Sequence, residues 1–487
     1  MATDPSAEPL FEVEESDPPE PMRPAAGAAR TFRHYDQHQS FLLPPSLDDW
    51  LPEDHVARFI SDVVDDMLDL SVIYASYATA DGAPPYDPKM MLKLVLYAYS
   101  TGVTSSREME RRCQVDVAFR WLSANAAPDY RSISRFRRRH LLALDDLFIQ
   151  VLALCAEAGL VSLGRVALDG TKLRASASRH KAMSHERMGP RIEDLKAQVA
   201  AILAEAEAID LAEDEEFGED KRGDELPEEL RTREGRLAKL RAAKEAIEAE
   251  AREKAAAKAT AKASAEAKDP AAIEQAAEVA AATATPRPSA QRSFTDPDSR
   301  MMKTTDGFHY AYNAQAVVDE ASQVVLAAEV VQAAGDIDQL FDMIEVTEAN
   351  LADAGVDDNP GVILADAGYC SEGNLTTAAD ADIDVLIATG RIKHHERVPD
   401  VPRGRIPKDA SARERMARRL RTKAGRADYA RRKAIVEPAF GQMKVRQHAG
   451  HLRLRGLAGA QGEWTLHTIC HNLRKLAKVH GAPLGAF

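Results

Sequence analysis

The chain has few cysteines, few aromatic residues and no long apolar run, and each shortage excludes a class of protein. Its 487 residues include only Cys113, Cys155, Cys370 and Cys470, which lie far apart and form no CxxC pair. That spacing argues against a disulfide scaffold or a zinc ribbon and is typical of thiols in a reducing cytosol. No apolar stretch approaches the ~20 residues that cross a bilayer. We therefore expect a cytoplasmic protein without a membrane partner.

The composition is otherwise that of a globular protein with disordered ends. Hydrophobic residues make up 45% and charged residues 29% of the chain, and the length allows two or three domains. Residues 1–30 contain six prolines and seven acids, so they do not resemble a secretory signal, and we expect an acidic, disordered tail. Residues 481–487 are read as a second short tail.

The charge is distributed unevenly along the chain. The net charge of −14 argues at first against a polyanionic partner. However, residues 191–280 carry a net charge of −9, whereas residues 391–480 carry 23 basic and 7 acidic residues and a net charge of +16. Such a basic segment is typical of a surface that binds nucleic acid, even where the whole-chain charge is negative.

The hydrophobic pattern divides the chain into helical and strand-rich parts. Residues 45–160, 411–445 and 461–480 have helical periodicity, and residues 161–180 and 293–390 have strand character. Between them, a heptad spacing predicts two antiparallel helices of a coiled-coil hairpin, and the Ala-rich residues 251–286 fit either a helix or a linker. The heptad positions are Ile192, Leu195, Val199, Ile202, Ala206 and Ile209, followed by Leu230, Leu237, Leu240 and Ile247.

The helical N-terminal part contains a candidate DNA-binding segment. A helix that ends before Gly102 and a second one with a predicted Ser105–Glu108 capping box fit a helix-turn-helix and an ordinary bundle corner about equally well. Just downstream, five arginines crowd one short segment. A solvated helix face accounts for one or two of them, and five indicate phosphate contacts. They are Arg131, Arg135, Arg137, Arg138 and Arg139.

Three acids stand where structural acids are uncommon. Asp169 and Asp366 each follow an apolar strand-like run directly, and strand ends of α/β sheets are where ligands bind. Glu437 lies in the apolar helical segment 434–440, where a buried carboxylate must be paired, capped or bound to a metal. Each has an ordinary alternative, since an Asp-Gly after a strand is often only a turn, and Glu437 could pair with Arg432 or Lys433.

Taken together, the three acids fit phosphodiester chemistry. Two Mg²⁺ ions roughly 3.5–4 Å apart can activate a nucleophile, orient the phosphorus and stabilise the leaving oxygen. Carboxylates are the ligands that Mg²⁺ prefers. Lys444 lies two helical turns beyond Glu437, within a run of basic residues, as a site that cleaves a polyanion requires. A histidine pair on a helix, His467 and His471, would suggest zinc, but its apolar neighbours favour a core position.

These acids also carry a family resemblance. The segments 168–173, 365–369 and 435–444 (LDGTKL, ADAGY and IVEPAFGQMK) resemble the three acidic motifs of bacterial insertion-sequence DDE transposases. The segments 295–300 and 471–476 look like other hallmarks of that group, and the helical region with residues 132–140 looks like its N-terminal domain. The resemblance covers roughly residues 31–480 apart from the helical arms.

The resemblance implies a fold and a division into domains. The fold class would be α/β: an RNase H-like catalytic domain with a mixed sheet over residues 161–480, behind a helical DNA-binding domain over residues 31–160. Asp169 would lie on the first strand, Asp366 on the fourth and Glu437 on a following helix. The coiled-coil and low-complexity insertion, residues 190–290, would separate the first two strands.

The resemblance also implies the activity and its residues. Asp169, Asp366 and Glu437 would be both the catalytic residues and the ligands of two Mg²⁺ ions, for which Mn²⁺ substitutes. DNA contacts are expected from Arg135, Arg137, Arg138, Arg432, Lys433 and Lys444. The family's third motif commonly has an Arg where Lys433 stands.

The expected function is that of a DNA transposase acting on double-stranded DNA. It would bind the terminal inverted repeats of its element, hydrolyse a phosphodiester and transfer the strand to target DNA, as a homodimer in the DNA complex. Its location would be bacterial, cytoplasmic and associated with the nucleoid. Two alternatives remain: a transposase-derived protein that binds DNA without cutting, and a site-specific Mg²⁺-dependent nuclease without strand transfer.

Overall fold

The structure, a computed structural model, describes residues 46–77, 84–177, 182–217, 228–266, 269–390, 404–407 and 409–481, without the side chains of 202–217, 228–232 and 265. The predicted disordered tail, residues 1–30, and residues 482–487 lie outside these ranges. Within the ranges, no helix combines the length and the apolar character needed to cross a bilayer.

The first part of the described chain is helical, as its periodicity predicts. The Asp87 side chain caps α4 by accepting from the Lys89 backbone N–H at 2.7 Å, and Pro88 follows as the first helical residue. The predicted capping box of α5 is wrong, because the Ser105 side chain makes no cap bond and Glu108 pairs with Arg111 and Arg112. The elements are α1 (Leu47–Trp50), α2 (Val56–Asp62) with a π-helical continuation (Val63–Met67), α3 (Ser71–Ala75), α4 (Pro88–Ser100), α5 (Ser106–Val115), α6 (Val117–Leu122), α7 (Tyr130–Arg139) and α8 (Leu141–Glu157).

A mixed sheet follows, which confirms the predicted α/β class. Its order is β4-β5-β1-β7-β8, and β6 also pairs with β5. β1 runs antiparallel to β5 and parallel to β7, which is in turn parallel to β8. The strands are β1 (Arg165–Arg174), β4 (Arg300–Thr304), β5 (Gly307–Asp319), β6 (Val325–Val331), β7 (Val362–Ala365) and β8 (Val385–Ile387).

Helices cover this sheet because its strands are apolar along most of their length. Residues 310–319 of β5 are all buried, which a strand shows when both faces of its sheet are covered. The helices of this part are α12 (Gln339–Asp353), α13 (Glu372–Asp380), α14 (Ala412–Arg421), α15 (Lys423–Arg446) and α16 (Leu457–Val479). α12, α15 and α16 contact the long strands, and α14 contacts β8. α4 and α8 pack against α16.

A helical insertion separates β1 from β5, the first two long strands. Its helices are α9 (His185–Phe217), α10 (Glu228–Ala265) and α11 (Pro270–Thr283). Short strands β2 (Ala182–Ser184) and β3 (Gln291–Ser293) pair antiparallel at its base. Met188, Ile192 and Leu195 pack against α10 in a small separate core. The α10 side of that core consists of Leu237, Leu240, Ala243 and Ile247. The side chains of Ile202, Ala206, Ile209 and Leu230 lie outside the described residues, so these heptad positions stay predictions.

The N-terminal helices are joined to the last helix by a buried charged network. Arg137 on α7 donates to the Tyr99 hydroxyl at 2.6 Å and to the Ser106 hydroxyl at 2.6 Å. Tyr99 in turn donates to Glu463 on α16 at 2.9 Å. The other oxygen of Glu463 accepts two backbone N–H bonds, from Arg453 and Leu454. These bonds hold a carboxylate that is fully buried, and burial raises the pKa of Glu463.

This network corrects one predicted DNA contact. Arg137 is 7% exposed, whereas Arg135 and Arg138 on the same helix are exposed. Its guanidinium is engaged inside the protein and does not reach a DNA phosphate. The reason is helical geometry, since Ile133, Phe136 and Arg137 share the inner face of α7. One continuous apolar core runs from Leu51 to Ala477, so the helical part and the sheet are packed as one body.

The histidine pair on α16 belongs to that core. Burial lowers the pKa of both His467 and His471 to about 3. The His471 ring is hydrogen-bonded to the Gln323 carbonyl at 2.8 Å, and the His467 ring is hydrogen-bonded to the Gln447 side chain. Trp464 is also fully buried and donates to the Gln315 carbonyl. Among the described residues, no three His, Cys, Asp or Glu side chains are grouped to hold a metal.

We predict that Arg137→Met destabilises the fold strongly. It leaves the Glu463 carboxylate buried without its counter-cation, which costs about 3–5 kcal/mol in the free energy of unfolding. Chemical denaturation followed by circular dichroism measures the loss. Arg135→Met, the same change on the exposed face of α7, is the control and should change stability by less than about 0.5 kcal/mol. Equal losses in the two variants would contradict the assignment.

Candidate active site

The backbone places the first two predicted acids side by side. β1 and β7 are paired in parallel up to Leu168 and Ala365, and Asp169 and Asp366 are the next residues on the two strands. Asp366 follows the end of its strand, as predicted. Asp169 does not, because β1 continues to Arg174 against β5. The parallel pairing of β1 with β7 ends before the two aspartates, whereas the pairing of β1 with β5 continues past Asp169. The end of β7 therefore leaves an open edge of the sheet, at which both carboxylates emerge.

Asp169 is a partly buried carboxylate with a fixed counter-cation. Its side chain is 21% exposed, and its Oδ2 accepts from Arg432 Nη1 at 2.8 Å. Its Oδ1 accepts from the Gly170 backbone N–H at 2.9 Å. Burial raises the pKa of Asp169, the Arg432 guanidinium lowers it, and the nearby Asp366 carboxylate raises it again. The ionised form is therefore short of positive charge, which an added cation would supply.

Asp366 is oriented by the turn that follows it. Its Oδ1 accepts from the Gly368 backbone N–H at 2.7 Å and so caps a single 3₁₀ turn, Ala367–Tyr369. Tyr369, the last residue of this turn, anchors it to the sheet. Its ring is buried, and its hydroxyl donates to Gln315 Oε1 on β5. The turn thus ties the second acid to the centre of the sheet.

Glu437 differs from the prediction made for its segment. Its apolar neighbours Ile435, Val436, Ala439 and Phe440 are buried, but Glu437 itself is exposed. The prediction that Glu437 lies buried, and so must be paired, capped or bound to a metal, is wrong in its premise. A helix turns its residues by 100° each, and these neighbours fill the inner face. Glu437 lies on α15 between Arg432, which contacts Asp169, and Lys444. The structure does not bring its carboxylate into one group with the two aspartates.

The predicted basic residues of α15 have three different environments. Arg432 is 9% exposed and serves as the partner of Asp169. Lys444 is partly buried and donates to the Thr171 hydroxyl on β1. Burial lowers the pKa of Lys444, and the charge of Asp169 opposes that shift. Lys433 is exposed. Of the three, only Lys433 presents its charge fully to solvent.

The sequence reasoning missed Asp336, a further carboxylate at this edge. It follows β6 by five residues and accepts from Lys172 Nζ, three positions after Asp169, at 3.3 Å. The Asp336, Asp169 and Asp366 carboxylates all raise the pKa of Tyr369, in addition to the effect of its burial, so all three lie near its ring. A signal was present in β5, where Asn313 and Gln315 interrupt a strand that is otherwise apolar and require buried partners.

Two family models match this chain. The first, described as "Transposase domain (DUF772)", matches residues 45–139, which hold α1 to α7. The second, "Transposase DDE domain", matches residues 282–473, which include Asp366 and Glu437 but not Asp169. No curated protein and no solved structure matches the chain. The first model ends before β1, and the second begins at the end of α11, so neither covers the first acidic motif. The chain belongs to the DDE transposases of insertion sequences.

Proposed function

We propose that this transposase binds the terminal inverted repeats of its element and that Asp169, Asp366 and Glu437 carry out Mg²⁺-dependent cleavage and strand transfer. The observation that carries the proposal is the juxtaposition of Asp169 and Asp366 at one open edge of the sheet. The sheet would be an RNase H-like catalytic core, since Asp169 lies on the first and Asp366 directly after the fourth of the strands β1, β5, β6, β7 and β8.

The residues at this edge fit a divalent cation. The donors are carboxylate oxygens, which Mg²⁺ prefers, and Mn²⁺ accepts the same ligands. Burial of Asp169 beside Asp366 leaves excess negative charge that such an ion would neutralise. Asp169 and Asp366 would hold it, and Glu437 would complete the set from α15 for a second ion. When bound, the ions would supply a nucleophile of lowered pKa and a Lewis acid at phosphorus.

The other side chains of the site would orient the acids and the DNA. Arg432 fixes Asp169 through its 2.8 Å bond. Lys444, held at Thr171 beside that acid, is placed to contact a phosphate next to the scissile one. In the first step, water attacks phosphorus and the 3′ oxygen leaves as a free hydroxyl. In the second, that hydroxyl attacks a target phosphodiester and displaces its 3′ oxygen, so both steps are in-line displacements.

DNA would lie across two exposed basic surfaces. On α15, Arg431 and Lys433 are exposed on either side of Arg432, which contacts Asp169. On α7, Arg135 and Arg138 face solvent, while Arg137 is excluded by its burial. A homodimer would hold the two element ends, with the helical insertion, the acidic helix α9 and its neighbour α10, as the candidate contact. Such a protein would act in the bacterial cytoplasm on nucleoid DNA.

A protein that binds DNA without cutting it is the second candidate. The observation in its favour is that Glu437 is exposed and does not converge with the two aspartates. A nuclease without strand transfer is the third, and the absence of joined products would identify it. The first experiment below separates these candidates.

We predict that Asp169→Asn, Asp366→Asn and Glu437→Gln each lower cleavage of a labelled element end in Mg²⁺ by about a thousandfold. Each change removes one anionic ligand, and the metal ions account for several kcal/mol of transition-state stabilisation. Gel analysis of nicked and joined strands measures both steps. The control is Glu345→Gln on the exposed face of α12, which should retain full activity. Wild-type activity in Asp366→Asn or Glu437→Gln would refute the assignment of that acid.

We also predict that the double variant Arg135→Ala/Arg138→Ala weakens binding to an element end and reduces its salt dependence. Each lost phosphate contact lowers the slope of log K against log salt by about 0.9, so the double variant should lose about two units. Fluorescence anisotropy over a salt series measures the slope. Arg241→Ala, an exposed arginine on α10 in the helical insertion, is the control and should leave the slope unchanged. An unchanged slope in the double variant would exclude α7 from the interface.

A further inference from the structure

Asp336 is held in place by three donors. Its Oδ1 accepts from Asn313 Nδ2 at 2.7 Å, from Gln315 Nε2 at 2.9 Å and from Lys172 Nζ at 3.3 Å. The two amides belong to β5 and are fully buried. Gln315 also accepts from the Tyr369 hydroxyl, so the same residue orients Asp336 and the turn that carries Asp366. The carboxylate is therefore a fixed part of the site rather than a mobile surface acid.

The position of Asp336 brings it against both acidic motifs. A Cβ added to Gly170, next to Asp169, would lie 2.8 Å from Asp336 Oδ1. A Cβ added to Gly368, in the turn after Asp366, would lie 3.2 Å from Asp336 Oδ2. Glycine at these two positions is what allows the carboxylate to approach so closely. Asp336 thus fills the space between the two motifs that carry the catalytic acids.

Lys172 is the cation of this group. Its side chain is 20% exposed, and its ammonium interacts most strongly with Asp336 and then with Asp366 and Asp169. Three carboxylates therefore face three fixed cations, Lys172, Arg432 and Lys444. Arg432 is bonded to Asp169, whereas the Lys172 ammonium is bonded to Asp336. The ammonium also interacts electrostatically with Asp366 and Asp169. A divalent cation at Asp169 and Asp366 would feel repulsion from that ammonium.

We infer that Lys172 is a resident counter-cation that limits the affinity of Asp169 and Asp366 for a divalent ion, and that Asp336 is the positioning residue that draws its ammonium away from them. The inference rests on the proposed metal site. With Asp336 present, the ammonium is held to one side and the two acids remain open to an ion. Without Asp336, the ammonium is free to pair with Asp366 or Asp169 and compete with the ion.

Mn²⁺ binding to the full chain without DNA tests this directly. Electron paramagnetic resonance of free Mn²⁺ gives the dissociation constant without any activity measurement. Lys172→Gln should bind Mn²⁺ about tenfold more tightly, because one nearby positive charge is removed. Asp336→Asn should bind it about tenfold more weakly, because one negative charge is lost and the ammonium is released. The double variant should return close to wild type, and Lys172→Arg, which keeps the charge, should stay within about twofold of it.

The opposite signs separate this role from a structural one. Damage to packing would weaken binding in both single variants and more so in the double variant, and that result would overturn the inference. Lys303→Gln, an exposed lysine on β4, is the control for loss of one positive charge elsewhere. Asp336→Asn is isosteric, so its weaker binding tests the inference even where Lys172→Gln does not fold. Unchanged binding in Asp336→Asn would also overturn it.

Failure of the proposed site gives a different result. Where wild type does not bind Mn²⁺, or Asp169→Asn binds it equally well, the proposed metal site itself is refuted. Where Asp169→Asn abolishes binding but Lys172→Gln fails to tighten it, the metal site stands and only the role of Lys172 and Asp336 is refuted.

Discussion

The parallel pairing of β1 with β7 places the carboxylates of Asp169 and Asp366 side by side. These two negative charges repel each other, and the rest of the site is arranged around that repulsion. Water is largely excluded from Asp169, so neighbouring charges act on it strongly. Arg432 donates a hydrogen bond to one oxygen of Asp169, and a backbone N–H donates to the other. Lys172 adds a second cation nearby. Even so, the pKa of Asp169 stays raised, which is the condition that the proposed cation site would relieve.

The polar residues inside the sheet transmit this arrangement to the rest of the protein. The side chain of Gln315 is hydrogen-bonded to both Asp336 and Tyr369, and its backbone carbonyl accepts from Trp464 on α16. Glu463, one residue before that tryptophan, closes the separate network with Tyr99 and Arg137. A single helix therefore supports the acids on one side and the N-terminal helices on the other. Because buried polar groups tolerate few alternative partners, such networks fix one relative position of the parts they join.

Much of this could be predicted from the sequence because the signals were local. Apolar runs that end in an acid predicted the positions of Asp169 and Asp366, and a heptad spacing predicted the helices of the insertion. The orientation of side chains on helices was predicted less well, although the signal existed. Spacing by three and four places Arg137 with Ile133 and Phe136 inside, and leaves Glu437 outside. The role of Asp336 could not be predicted from its neighbours in the sequence. It depends on the side-chain amides of Asn313 and Gln315, which lie on β5.

The short β2–β3 ladder at the base of the helical insertion has a consequence for how this protein can vary. Ala182 lies opposite Ser293, so the chain leaves the sheet and returns to it at nearly one point. An excursion that starts and finishes together can be lengthened, trimmed or exchanged without moving the strands it interrupts. The lengths of the arms α9 and α10 are in that sense independent of the spacing between the two aspartates.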